Sequence, residues 1–392
     1  MKMNSSHLLK VLFCSAAVMM TAGTALGDTL ALTGTLRDFK RGDKAGGHPD
    51  FETCNTVAGH GKYGLVNGLV SMVLSESRRP VYSPTRPSND SISSSSSFAS
   101  WFTDTPGVNL SFSHTITLSN GQSLPGGIYS YSNNKFFPLD GKGYGHEECK
   151  DASGVKHNYG FTFELRNSFT YRPGQQFTFN GDDDVWSYIN GYKVIDLGGV
   201  HGVQSGSVLL FDGKAFVNKN HFAVGGLVQT VSSTQAATLA SNWTTLGMSG
   251  SCPITSGSYY VDLGIGGSAA DVMCTFTSTV ATVKSGLPLS SVVLKFTDNT
   301  VQKFDDLTGK TGSFSGTGGY AGRQVAGVWV KKAGDVSGGY GSYYGADGSG
   351  GIECTLDFFF AERHVTESNF RIDTSMQLKP KANIGTISPL YD

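Results

Sequence analysis

Apolar and polar residues alternate wherever this chain is regular. Leu110, Phe112, His114, Ile116 and Leu118 are separated by Ser and Thr, the period-two signature of a half-buried strand. His114 falls on the apolar face, where a hydrogen-bonded core histidine is expected rather than a ligand. Leu30-Ala-Leu-Thr-Gly-Thr-Leu36 alternates in the same way, and residues 158–165 and 169–180 give two further strands around Arg172-Pro173-Gly174. Beyond residue 207 come more β-like runs: Val208-Leu-Leu-Phe, Tyr259-Tyr-Val-Asp-Leu, Met273-Cys-Thr-Phe-Thr, Val292-Val-Leu-Lys-Phe-Thr and Gly327-Val-Trp-Val-Lys. Asp298-Asn299-Thr300 reads as a hairpin turn between two of them.

The sharpest local signal is Asn190-Gly191 between two runs of β-formers. This pair supplies the positive φ angles that a type I′ turn needs. A two-residue loop pairs Ile189 with Tyr192, Tyr188 with Lys193, Ser187 with Val194, Trp186 with Ile195 and Val185 with Asp196. That register brings Asp182, Asp183 and Asp184 to the same end of the hairpin as Asp196, with Asp183 and Asp196 on one face.

Carboxylates gathered this closely repel unless a proton or a cation intervenes. Calcium takes 6–8 oxygen ligands in irregular geometry, so Asp182, Asp183, Asp184 and Asp196 form its candidate ligand set. Gly181, Gly198 and Gly199 let the backbone turn sharply or approach an ion. The same residues also read as a solvated strand end with ordinary turns.

Composition narrows the classes. The chain of 392 residues is 39% hydrophobic and only 16% charged, and its 52 glycines with 24 phenylalanines and 16 tyrosines suit a turn-rich all-β protein. A net charge of −1 offers no basic excess for nucleic acid. Lys2 and Lys10, the apolar run from Val11 to Ala22 and Ala25-Leu26-Gly27 read as a signal peptide over 1–27 and predict secretion to the exterior or cell surface. That run is too short to span a membrane, and no later stretch is apolar enough. Export makes disulfides expected. Cys252 and Cys274 are the nearest pair, Cys54 and Cys149 the second, and Cys354 is left over. No Gly-x-Ser-x-Gly or Ser-x-x-Lys motif marks a nucleophile, and the chain is expected not to be an enzyme. A glycosidase pair such as Asp183 with Glu362 is the less favoured reading.

Gly181-Asp-Asp-Asp-Val-Trp186, Ile189-Asn-Gly191 and Val194-Ile-Asp-Leu-Gly-Gly-Val-His201 resemble the signature of the fibro-slime domain, a relative of the PA14 domain. Phe358-Phe-Phe-Ala-Glu-Arg-His-Val-Thr-Glu-Ser-Asn-Phe-Arg-Ile-Asp-Thr374 resembles its closing strands. Leu32-Thr-Gly-Thr-Leu-Arg-Asp-Phe39, His48-Pro-Asp-Phe51, Trp101-Phe-Thr-Asp-Thr-Pro-Gly-Val-Asn109 and Phe136-Phe-Pro-Leu-Asp140 agree in order. The resemblance implies a PA14-like β-sandwich or barrel in which Asp182 and Asp183, joined by a cis peptide, hold a calcium ion that contacts sugar hydroxyls. It also places Trp186, Asn190, His201, Glu362, Arg363 and His364 at motif positions and makes them candidate ligand-binding residues. Arg363 paired with Glu362 or Asp196 is an equally good structural reading.

The domain is expected to be discontinuous, 28–207 plus 353–378. A second small β domain of no recognised family is inserted at 208–352, near the C-terminal strands, and returns through the Gly/Tyr-rich segment 334–351. A polar tail follows at 379–392. The expected function is calcium-dependent binding of carbohydrate or a cell-surface glycan in adhesion. A self-associating subunit of an extracellular matrix, fibre or surface layer is the alternative.

Overall fold

A computed structural model describes residues 28–51, 64–83, 92–120, 127–145, 149–151, 153–266, 271–335, 339–365 and 367–381. The protein is all-β, as its alternation predicts. The first strands are β1 (Thr29–Phe39), β2 (Asn109–Ser119), β3 (Tyr129–Asn133), β4 (Phe161–Thr170) and β5 (Gln176–Gly181), with a single helical turn, α1 (Ser95–Phe98), between β1 and β2. The hairpin follows as β6 (Asp184–Ile189) and β7 (Tyr192–Leu197). Then come β8 (Gln204–Phe211), β9 (Lys214–Val217), β10 (Val228–Thr230), helix α2 (Ser233–Leu246) and β11 (Tyr259–Asp262). Seven strands form a separate unit: β12 (Val272–Phe276), β13 (Val280–Ser285), β14 (Leu289–Phe296), β15 (Val301–Phe304), β16 (Thr311–Ser315), β17 (Val325–Lys332) and β18 (Ser342–Gly345). The chain returns through β19 (Glu353–Glu362), β20 (Phe370–Thr374) and β21 (Lys379–Pro380).

One antiparallel sheet runs β10-β11-β9-β8-β5-β20-β3-β2-β1-β4-β19-β6-β7 and folds over on itself. Phe177 and Phe179 on one layer meet Phe358 and Phe360 on the other, within a core that also takes Leu36, Phe163, Ile195 and Leu210. The outer face of β6 and β19 is covered as well. Phe51, Leu69, Phe98 and Trp101 pack there on Trp186, Tyr188 and Phe359. With both faces buried, every residue of β6 is inside.

Strands β8 to β11 continue the main sheet, so the separate unit begins at β12 rather than at residue 208. Its two sheets, β12-β13-β16 and β15-β14-β17-β18, enclose a core around Val283, Val292, Leu294 and Val328. The predicted turn at Asp298-Asn299-Thr300 joins β14 to β15, with Asn299 at φ 65°. Part of the expected return linker is structured: β18 pairs with β17. One helix, α2, packs on this otherwise all-β framework. Ser232 and Gln235 form a reciprocal capping box, Gly247 ends the helix in the left-handed region, and Leu239, Trp243 and Leu246 pack on Phe211 and Tyr260.

Cys252, Cys274 and Cys354 are free thiols, so the expected Cys252–Cys274 bridge does not form. Cys252 packs against the α2 cluster and Cys274 against the core of the separate unit, so each faces a different cluster. Cys54, expected to pair with Cys149, lies outside the described residues, as do the expected signal peptide 1–27 and most of the tail. No helix among the described residues is long and apolar enough to cross a membrane.

Candidate functional site

Asn190 at φ 50° and Gly191 at φ 82° make the turn that the sequence specifies, and Ile189 and Tyr188 face Tyr192 and Lys193 as expected. The register then shifts. Val194 is an extra residue, so Ser187 faces Ile195 and Trp186 faces Asp196. A one-residue slip turns a side chain to the other face of the sheet. Asp196 is therefore not brought to the other aspartates. Its Oδ2 accepts from Lys193 Nζ at 2.7 Å and from the Gly68 amide at 2.9 Å.

Asp182, Asp183 and Asp184 do lie together, where β5 passes into β6. The Asp182–Asp183 peptide bond is cis, the geometry that the resemblance implied. Asp182 is held from the residue that precedes β20: the Asn369 amide donates to Oδ1 at 2.6 Å and Asn369 Nδ2 to Oδ2 at 2.9 Å. Asp183 Oδ2 accepts the amides of Arg363 and His364 at 3.0 and 2.9 Å, and its Oδ1 accepts that of His201 at 3.3 Å. Asp184 takes the Gly199 amide at 2.6 Å and Arg363 Nε at 2.7 Å. The Gly-Gly-Val-His segment thus wraps the aspartates with backbone donors. A Cβ on Gly198 would lie 2.7 Å from the Val66 carbonyl oxygen, so glycine lets the 64–66 segment close over this loop.

Arg363 is buried and committed to Asp184, not to Glu362 or Asp196. Its Nη1 also donates to the Asp50 carbonyl at 3.2 Å, and its guanidinium lies 4.8 Å from the Trp101 ring centroid. Asp184 is consequently a structural ion-pair partner rather than a member of an open ligand set. Trp186 is fully buried, 5.8 Å from Phe98 and 6.3 Å from Trp101 between ring centroids, and offers no platform to a sugar. Asn190 works as a clamp: its Oδ1 accepts the Thr355 amide at 3.0 Å and its own amide donates to the Thr355 carbonyl at 3.1 Å.

Three carboxylates lie close enough for their charges to act on one another: Asp182, Asp183 and Glu362. Burial pushes Asp183 up to about 6 against the pull of Arg363. Burial, then the charges of Asp183 and Asp182, drive Glu362 well above the ordinary carboxylate range. Asp182 is raised too, chiefly by burial. The His364 amide donates to Glu362 Oε1 at 3.3 Å, and Oε2 is buried with no hydrogen-bond partner. His201 donates Nδ1–H to the Gly202 carbonyl at 2.9 Å and leaves Nε2 buried and unpartnered.

These donors are hard oxygens, with one orphaned oxygen among them, which suits calcium or magnesium better than zinc. Among the described residues, no group of three or more His, Cys, Asp or Glu side chains is arranged to hold a metal ion by itself. A cation here would draw on Asp182, Asp183 and Glu362 and complete its shell from backbone carbonyls or water. Asn369 was not singled out from sequence, although it stands inside the closing-strand motif. The signal was there in a side-chain amide next to a strand that returns beside the aspartates.

No family model matches the chain. It is similar to a group of proteins of Dictyostelium discoideum, among them the following three. Protein psiR is 39% identical over 170 residues, which is 42% of this chain and 16% of psiR. Protein psiQ is 38% identical over 154 residues, 38% of this chain and 15% of psiQ. Protein psiD is 37% identical over 157 residues, 38% of this chain and 30% of psiD. The matched part is thus less than a third of the length of each of these relatives.

Proposed function

We propose that this chain is a secreted, non-catalytic recognition protein that binds calcium at Asp182, Asp183 and Glu362 and, through that edge, carbohydrate or a glycan-bearing cell surface. The observation that carries this reading is the burial of three mutually repelling carboxylates beside a single arginine that is already paired with Asp184. A divalent cation relieves that repulsion, whereas an acid–base pair would have to reach a substrate from a site enclosed by backbone amides. The fibro-slime resemblance supplies the sugar, and the signal-like leader supplies the address.

The test is a thermal melt of the mature protein in EDTA, followed by a calcium titration. A ligand that binds only the folded state raises the melting temperature with its concentration. The expected rise is absent in Asp183→Asn, which keeps an amide acceptor and removes the charge. The comparison uses the calcium-induced shift, so a lower baseline in the variant does not matter. No shift at millimolar calcium would discard the ion and move the matrix-subunit reading to first place.

A further inference from the structure

A groove opens where β1 and β2 meet β4, the loop after α1 and the segment that follows β21. We infer that it is a second binding site, for a sugar unit that carries an oxyanion, carboxylate or sulfate, held through Lys381, Arg166 and the hydroxyls of Thr35 and Ser113. This inference does not rest on the calcium reading, and no residue is shared with it.

The groove measures about 450 Å³, within the range of small-molecule sites. One wall is a ladder of small hydroxyl residues. Strands β1 and β2 pair Thr33 with Thr115 and Thr35 with Ser113, and residues directly opposite in antiparallel strands share a face. Thr33 and Thr115 bond each other at 2.8 Å, whereas the hydroxyls of Thr35 and Ser113 make no hydrogen bond among the described residues. Ser113 is exposed and Thr35 half-buried, so both are within reach of a ligand. The other side carries cations. Arg166 keeps 16% of its side chain exposed, and half-buried Lys381 is fixed beside it, its amide donating to the Arg166 carbonyl at 2.9 Å.

The charge balance selects the chemistry. Two carboxylates, Asp104 and Glu164, line the groove, and both are already committed. Arg37 donates Nε to Asp104 Oδ1 and Nη1 to Glu164 Oε2, each at 2.8 Å, and Arg166 Nε donates to Glu164 Oε1 at 2.6 Å. Ser111 adds a bond to Asp104 at 2.7 Å. Two arginines thus balance two acids, while Lys381 and nearby Arg79 form no ion pair among the described residues. Arg79 feels the same field: burial, and the charges of Arg37 and Arg166 against that of Glu164, hold its guanidinium below its ordinary value. The neighbourhood therefore has positive charge to spare in a chain whose net charge is −1. A bare anion would use the cations and leave the hydroxyl wall idle. A sugar acid uses both, since its hydroxyls exchange hydrogen bonds with Thr and Ser while its oxyanion takes the charged donors.

The experiment runs the full chain, in EDTA, through native gels cast with polygalacturonate, dextran sulfate or neutral dextran, each compared with a gel that holds no polysaccharide. Retardation is expected in at least one anionic gel and not in dextran, and the gel that responds identifies the oxyanion. Lys381→Glu and Ser113→Glu lie outside the core and are each expected to raise the apparent Kd about tenfold or more, with the melting temperature unchanged. Lys303→Glu reverses an exposed lysine on the separate unit and is expected to bind like wild type. Equal mobility in all gels, or equal retardation in dextran, would overturn the site. So would a loss in Lys303→Glu as large as that in Lys381→Glu, which would reduce the binding to general charge attraction.

Discussion

Arg363 Nε lies 2.7 Å from Asp184 Oδ2, with both side chains buried, although 179 positions separate the two residues. The pair ties β19 to the start of β6 and aims Arg363 at the face covered by Trp101. Removing one partner of a buried pair strands the other charge, which costs about 3–5 kcal/mol. Arg363→Met is therefore expected to lower stability by that order in urea unfolding, and Arg363→Met combined with Asp184→Asn to recover part of it. A double variant no more stable than the single one would mean that packing on Trp101, not charge, is what Arg363 supplies.

Gly181 is the last residue of β5 and faces Phe370 in β20. A Cβ there would stand 2.1 Å from the Asn369 carbonyl oxygen. Because Asn369 also holds both oxygens of Asp182, Gly181→Ala is expected to strain the strand pairing and loosen Asp182 together. Overpacking of this kind costs about 1–3 kcal/mol. Urea unfolding reads the stability, and the Asn369 side-chain amide signals in NMR read the loosening. An unchanged Asn369 environment would separate the two effects and sink the second.

The sequence made the turn legible because Asn-Gly with flanking β-formers leaves few alternatives. It did not reveal the bulge at Val194. Val194 and Ile195 are both apolar and both buried, so pattern alone cannot choose which one is the extra residue. That single slip carried Asp196 from the aspartates to Lys193. Trp186 failed as a platform for a related reason: its strand is covered on both faces, and the covering segments come from remote parts of the chain. Helix α2 is absent from the sequence expectation, although Ser232, Gln235 and Gly247 carry start and stop signals for it. The Arg363–Asp184 pair was beyond reach, since nothing local links two positions so far apart.

Tyr171 and Asp271 join the main sheet to the separate unit. Tyr171 Oη donates to Asp271 Oδ1 at 2.7 Å, and the Asp212 amide donates to the same carboxylate at 2.9 and 3.1 Å. Burial nevertheless pushes Asp271 from its ordinary 3.8 up to about 7. Between those values the folded protein holds a proton there that the unfolded chain has released. Stability from this group is thus complete below about pH 4 and is lost as pH rises through about 7, with a slope of up to about 1.4 kcal/mol per pH unit. Asp38, raised to about 6 by burial, acts in the same sense in wild type and variant alike and cancels in their difference. Asp271→Asn keeps an acceptor for Tyr171 and cannot ionise. Its stability relative to wild type, from urea unfolding at intervals across that window, is expected to improve steadily with pH. Parallel curves for the two proteins would mean that Asp271 is ionised in the fold and that its three hydrogen bonds outweigh burial.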